Sequence, residues 1–191
     1  MFRVIKSALV FMGALIVITG LAYPLLITGV AQLVFPGQAN GSLVFATDGS
    51  PTGSSLIGQD FSAPQYFWGR LSATAEKPYN SATSGGSNLS VLNNTLKEQA
   101  QTRINALHAA DPDNTLPIPV DLVTASASGL DPHISPASAY YQGSRIARVR
   151  GLAINQVNEL ISLHIEQPFF GIFGEPRVNV LLLNLALDEL K

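Results

Sequence analysis

The stretch SALVFMGALIVITGLAYPLLITGVAQLV (Ser7–Val34) decides the architecture. It carries no charge, the charge-free run extends to Thr47, and two cations, Arg3 and Lys6, stand immediately before it. As a helix rising ~1.5 Å per residue, residues 8–34 would reach roughly 40 Å, beyond the ~30 Å of a bilayer core. Tilt takes up the surplus, or a kink at Pro24, whose ring displaces the carbonyl of Gly20 and removes one backbone donor. Fourteen of these residues are Leu, Ile, Val or Phe. On an insertion scale they contribute on the order of −4 to −8 kcal/mol before the polar members are subtracted.

A cleaved secretory signal shares the basic start and apolar run. Its core, however, is only ~7–15 residues long, whereas here apolar character persists through Leu21, Leu25, Leu26, Ile27, Leu33 and Val34. Cysteine is absent, which excludes a lipoprotein anchor. The run therefore reads as a retained anchor. With Arg3 and Lys6 ahead of the helix and Arg70 the next cation after it, the N-terminus is expected in the cytoplasm. The expected organisation is a cytoplasmic segment at 1–7, a transmembrane helix at 8–34 and an extracytoplasmic domain at 35–191. At 100° per residue Gly13, Gly20, Pro24, Thr28 and Ala31 share a sector of about 80°, a small-residue face suited to close helix packing.

Two of the eleven Lys and Arg precede the anchor, leaving nine against thirteen Asp and Glu, a net of −4 for the exported part. No basic patch calls for nucleic acid. The charged fraction is 13%, low beside about 25% for soluble domains, and suits a surface covered by partners. Gly, Ser, Asn and Pro dominate from Gly37 to Asn94, which predicts turns and short strands at 42–45, 55–57 and 66–68. Helical texture follows. Thr95 with Glu98 reads as a capping box; Leu96, Ala100, Ile104 and Leu107 repeat on one face; Asp111-Pro112 ends the helix. Residues 117–124 read as extended. Ser135-Pro136 opens a helix that Gly151 closes, with Arg145, Arg148 and Arg150 suited to its C-terminal dipole. Ile154, Val157, Leu160, Ile161 and Ile165 predict the next helix, closed by Pro168, and a buried helix is expected over 177–190. The fold class is thus a single N-terminal transmembrane helix followed by one α+β extracytoplasmic domain, short strands first and helices after.

Catalytic patterns are missing. No phosphate-binding P-loop, Ser-x-x-Lys dyad or G-x-S-x-G elbow is present; the nearest stretch, residues 125–129, lacks the first glycine. His108, His133 and His164 are scattered, and only Asp131 lies beside one of them. Asp131-Pro132-His133 reads as a rigid turn into a helix, with catalysis or metal binding as its rival. Ser84-Gly85-Gly86-Ser87-Asn88 reads as a turn; an anion cradle would want a following helix and a lysine. A hydrolase would have to assemble Ser126 or Ser128 with Asp131 and His133, residues too close along a proline-stiffened turn to converge easily.

Several blocks in order carry a resemblance: Tyr23-Pro24-Leu25, residues 38–43, 56–59, Tyr66-Phe67-Trp68-Gly69-Arg70, Ser72-Ala73-Thr74, Pro78-Tyr79-Asn80, residues 84–89, the long block 123–136, Val178-Asn179 and residues 183–188. Over nearly its whole length the chain resembles the C subunit of the potassium-transporting Kdp ATPase, a bacterial P-type pump. Leu71 departs from the family pattern, which leads one to expect proline after Gly-Arg; a turn there should be relaxed.

The resemblance implies a non-catalytic accessory subunit of a high-affinity potassium uptake complex in the bacterial inner membrane. Its partners would be a channel-like potassium-binding subunit, a P-type ATP-hydrolysing subunit and membrane lipid. It would assemble or stabilise them, or raise the ATP affinity of the hydrolysing subunit as a catalytic chaperone. ATP, Mg and K would be used by the complex, with no cofactor or metal bound by this chain. Within the matching blocks Gly69, Arg70, Asn80, Gly85, Gly86, Asn88, Ser126, Ser128, Asp131 and His133 are expected to be partner contacts or structural motif residues. The alternative is a membrane-tethered exported binding module or hydrolase unrelated to transport.

Overall fold

The computed structural model describes residues 1–46 and 49–190. The chain divides into two compact units, Met1–Thr52 and Gly53–Lys191.

The first unit is dominated by one apolar helix of 33 residues, Phe2–Val34, whose best 18-residue window has a mean hydropathy of 2.3 and none of whose side chains is buried. It begins at Phe2, so Arg3 and Lys6 ride on its first turns. The helix comprises α1 (Phe2–Val17), a π-turn (Ile18–Ala22) and α2 (Tyr23–Val34). At the place where the sequence allows a kink, the hydrogen-bond ladder passes through this π-turn. Tyr23 donates its amide to Ile18 O, five residues back, and Pro24 falls in the first turn of α2, where its missing donor costs little. The extra residue rotates everything beyond Ala22 by about 100° relative to a uniform wheel. Pro24, Thr28 and Ala31 therefore stay together but turn away from Gly13, with Gly20 inside the π-turn between them. A short helix α3 (Pro36–Ala39) follows, then β1 (Leu43–Phe45) and β2 (Pro51–Ser54), which pair as a two-stranded ribbon. The strand expected at 55–57 thus lies earlier, at 51–54.

In the second unit α4 (Asn94–Ala110) starts two residues ahead of the anticipated box. Asn93 takes the extended conformation and accepts from the Thr95 amide at 2.9 Å, so the cap is an asparagine rather than Thr95. The predicted face is the one turned inward, with Leu107 buried and Leu96, Ala100 and Ile104 half-buried. Residues 120–122 form a single 3-10 turn instead of an extended segment. β3 (His133–Ile134) leads into α5 (Pro136–Arg150), which has the predicted bounds: Ser135 Oγ accepts from Ser138 N at 3.1 Å, and Gly151 at φ +68° ends it in the left-handed region. α6 (Ile154–Leu163) buries Val157, Leu160 and Ile161 and stops before Ile165, which belongs to β4 (Ile165–Glu166).

The last expected helix divides at Asn179. Arg177–Asn179 is β5, and α7 (Val180–Glu189) begins where Asn179 Oδ1 accepts from Leu182 N at 3.2 Å. β5 is the centre of an antiparallel sheet in the order β3-β5-β4, Val178 facing both Ile134 and Ile165. The sheet therefore comes from the second half of the chain, refining the expected order of strands and helices. Phe67, Leu122, Ile146, Ile161, Val178, Leu183 and Leu187 are fully buried and make one core of the sheet, α5, α6 and α7.

Candidate functional site

Residues 55–93 hold no helix or named strand, yet this stretch crosses the core at Phe67 and Trp68. A buried backbone must find hydrogen-bond partners, and side-chain amides from two helices supply them. Asn184 on α7 accepts from Phe67 N at 2.8 Å and donates to Phe67 O at 3.0 Å. Gln142 on α5 accepts from Trp68 N at 2.8 Å and donates to Trp68 O at 3.1 Å. These amides stand in for neighbouring strands, which is why 66–68 has the composition of a strand without forming one. The Trp68 ring lies 4.8 Å from the Arg103 guanidinium and 4.7 Å from that of Arg145. Arg145 is 1% exposed. It donates to Pro64 O and, at 2.7 Å, to Gln142 Oε1, and burial pushes its pKa down to about 10. Arg103 donates to Gly69 O at 2.8 Å and Leu122 O at 3.1 Å.

Directly after Gly69 the loops converge. Arg70 Nη1 meets Asp131 Oδ2 at 3.2 Å, and its Nη2 donates to Ala125 O at 3.2 Å. Asp131 Oδ1 accepts from His133 N at 3.0 Å, forming the expected Asx turn, and lies 3.4 Å from His133 Nδ1. Burial pushes the Asp131 carboxyl up, but hydrogen bonds from His133 and Arg70 outweigh it and hold the group below its ordinary range. Tyr79 donates to Arg70 O at 2.6 Å, and burial raises its phenol to about 12. A Cβ at Gly69 would stand 2.7 Å from Tyr79 Oη, so a side chain there would have to displace the Tyr79 hydroxyl from its bond to Arg70 O.

The glycine loop is locked onto the same knot. Gly85 N donates to Ser128 O at 2.8 Å, and a Cβ on Gly86 would lie 2.8 Å from Ala127 O. Asn88 turns the chain at φ +51°. Asn80 is buried, accepting from Ala82 N at 3.2 Å and donating to Ala75 O at 3.2 Å. The structure thus gathers Gly69, Arg70, Gly85, Gly86, Ser126, Ser128, Asp131 and His133 into one network of loops, with Asn80 pinning the adjoining turn. Among the described residues no hydrogen bond joins Ser126 or Ser128 to Asp131 or His133, although Asp131 lines a cleft with each. Ser128 Oγ accepts from Leu130 N at 3.1 Å. The two serines line one cleft, and His133 lines another of about 730 Å³ with Arg70, Asp131 and Arg177. Its ring neighbours are Asp131 and, at 4.0 Å, Glu166.

Sequence reading missed Gln142, Asn184, Arg103, Arg145 and Asp121. Asp121 accepts from Ser135 N at 2.7 Å and Ser138 Oγ at 2.5 Å, tying the 3-10 turn to the start of α5. A polar residue on an apolar helix face was the available signal at Asn184. The arginines at the end of α5, expected to serve its dipole, instead reach other elements: Arg148 pairs with buried Asp111 at 2.7 Å, and Arg150 with Asp188 at 2.6 Å.

One helix long and apolar enough to cross a membrane, followed by an α+β domain whose irregular half is pinned by side chains, is the arrangement of a single-pass membrane protein. Comparison with known proteins makes the class specific. The family model KdpC, described as "K+-transporting ATPase, c chain", matches residues 5–189. Potassium-transporting ATPase KdpC subunits are similar throughout. That of Polaromonas naphthalenivorans is 58% identical over 191 residues, covering 100% of this chain and 97% of the relative. That of Herpetosiphon aurantiacus is 59% identical over 190 residues, covering 100% and 96%, and that of Variovorax paradoxus 60% over 188, covering 98% and 97%. The chain belongs to the KdpC family of potassium-transporting ATPase subunits.

Proposed function

We propose that this chain is a non-catalytic accessory subunit that holds the channel-like and ATP-hydrolysing subunits of a potassium pump together. Full-length family membership carries the reading. In this reading the N-terminus is cytoplasmic, as Arg3 and Lys6 favour, and the α+β domain lies on the outer side. The apolar helix, with Pro24, Thr28 and Ala31 on one side beyond the π-turn, packs on a polytopic partner, and the Arg70–Asp131 knot presents a rigid loop surface to it. A non-catalytic role is supported by the opening of Ser126 and Ser128 on a different cleft from His133. ATP, Mg and K are handled by the other subunits.

The domain also raises the ATP affinity of the hydrolysing subunit from across the membrane. Such coupling is modest in energy, since a tenfold effect needs about 1.4 kcal/mol. The test is the ATP dependence of potassium-stimulated hydrolysis by the complex with and without this chain. An apparent KM roughly tenfold higher without it is expected. An unchanged KM in an intact complex contradicts the coupling and leaves only the scaffold.

A further inference from the structure

The segment PFFGIFG (Pro168–Gly174) between β4 and β5 is a hairpin of apolar side chains in water. Phe169 is 68% exposed, Phe170 80%, Ile172 77% and Phe173 67%, and no charge lies between Glu166 and Glu175. The turn is built to hold this arrangement. Phe169 and Phe173 exchange backbone hydrogen bonds of 3.0 Å, while Phe170 and Gly171 take φ +54° and +73°. An aromatic residue rarely adopts that conformation.

We infer that this hairpin inserts into the lipid leaflet on the domain's side of the membrane. The backbone favours lipid over a protein partner. The amides of Phe169, Gly171, Ile172 and Phe173 donate within the hairpin, which lowers the cost of taking this turn out of water; a protein groove would offer partners of its own. The Phe169 and Phe170 rings lie 4.3 Å apart at their centroids, and penetration of ~5–10 Å suits a short apolar segment. Glu166 is paired with Arg177 at 2.9 Å while Glu175 stands on the other flank, so a zwitterionic surface suits the hairpin better than an anionic one. The apolar helix holds the domain at a bilayer, so encounter with lipid is effectively intramolecular.

The chain has no cysteine, so single labels are unambiguous. Full-length Ile172→Cys and, separately, Phe170→Cys are labelled with a fluorophore in phosphatidylcholine vesicles, with Ala109→Cys on exposed α4 as the reference. Nitroxides on the lipid acyl chains should quench both hairpin labels, and iodide should quench them roughly threefold less than the reference, as interfacial burial requires. Iodide quenching equal to the reference without nitroxide quenching overturns the inference. So does a label shielded only when other subunits of the complex are added, which assigns the hairpin to protein. Unchanged Trp68 fluorescence shows that each variant is folded.

Discussion

Replacing Asn184 by leucine tests how an irregular chain is held inside a core. Asn184 is 1% exposed, and Phe67, whose backbone it binds, is fully buried. Leucine matches asparagine in heavy-atom count and branching but is bulkier, so any overpacking adds to the loss of hydrogen bonds. What is lost is one partner for Phe67 N and one for Phe67 O, at 2.8 and 3.0 Å, in a place water cannot reach. Each buried group left unpaired costs about 1–3 kcal/mol, so Asn184→Leu should destabilise by about 2–6 kcal/mol. With a urea slope near 2 kcal/mol/M the midpoint should fall by roughly 1–3 M. Trp68, the chain's one tryptophan, adjoins the perturbed peptide and reports unfolding by its fluorescence in mild detergent. Gln142→Leu should cost more, because it also strips Arg145 of its 2.7 Å acceptor. A midpoint within about 0.3 M of the parent for Asn184→Leu would refute the reasoning, since even one unpaired group exceeds that.

Asp131 has a depressed carboxyl pKa, so its contribution is present above the unfolded value of about 4 and is lost as pH falls through the folded one. Asp131→Asn should therefore be less stable than the parent at neutral pH, the gap closing below about pH 4; a gap independent of pH counts against the clamp with Arg70. At high pH the Tyr79 phenol, pushed up to about 12, should be the late component of a tyrosinate absorbance titration that Tyr79→Phe removes. Because the neutral phenol is the folded form, its contribution holds below about pH 10 and disappears as pH rises through 12. Two glycines should respond oppositely to alanine. At Gly129, φ +68°, a Cβ would lie 2.7 Å from Gly85 O, so Gly129→Ala should cost about 1–3 kcal/mol; at Gly143, inside α5, the nearest atom is 3.5 Å away, and alanine should add about 0.5–1 kcal/mol. Equal unfolding midpoints for the two variants would contradict both assignments.

What was legible in the sequence was local. Ser135, Pro136 and Gly151 bound α5 through groups within four residues, and the long N-terminal helix follows from a run of apolar side chains. Residues 66–68 were misread as a strand because their partners, Gln142 and Asn184, lie 74 and 117 residues away. Arg177-Val178-Asn179 merged with the helix after it, since an apolar run carries no period that separates a buried strand from a buried helix; the cap by Asn179 is what divides them. The Asp131 turn was readable from its prolines, but its pairing with Arg70, which joins loops 61 residues apart, was not. The π-turn before Pro24 escaped a wheel drawn at constant angle.

The central claim is that this chain works as a subunit, and the direct measurement is isolation of the full-length protein by a C-terminal tag in mild detergent, with identification of every co-eluting chain. Stoichiometric recovery of a P-type ATPase chain and a polytopic potassium-channel-like chain is predicted. Recovery of the protein alone, where other membrane complexes survive the same detergent, would contradict the claim.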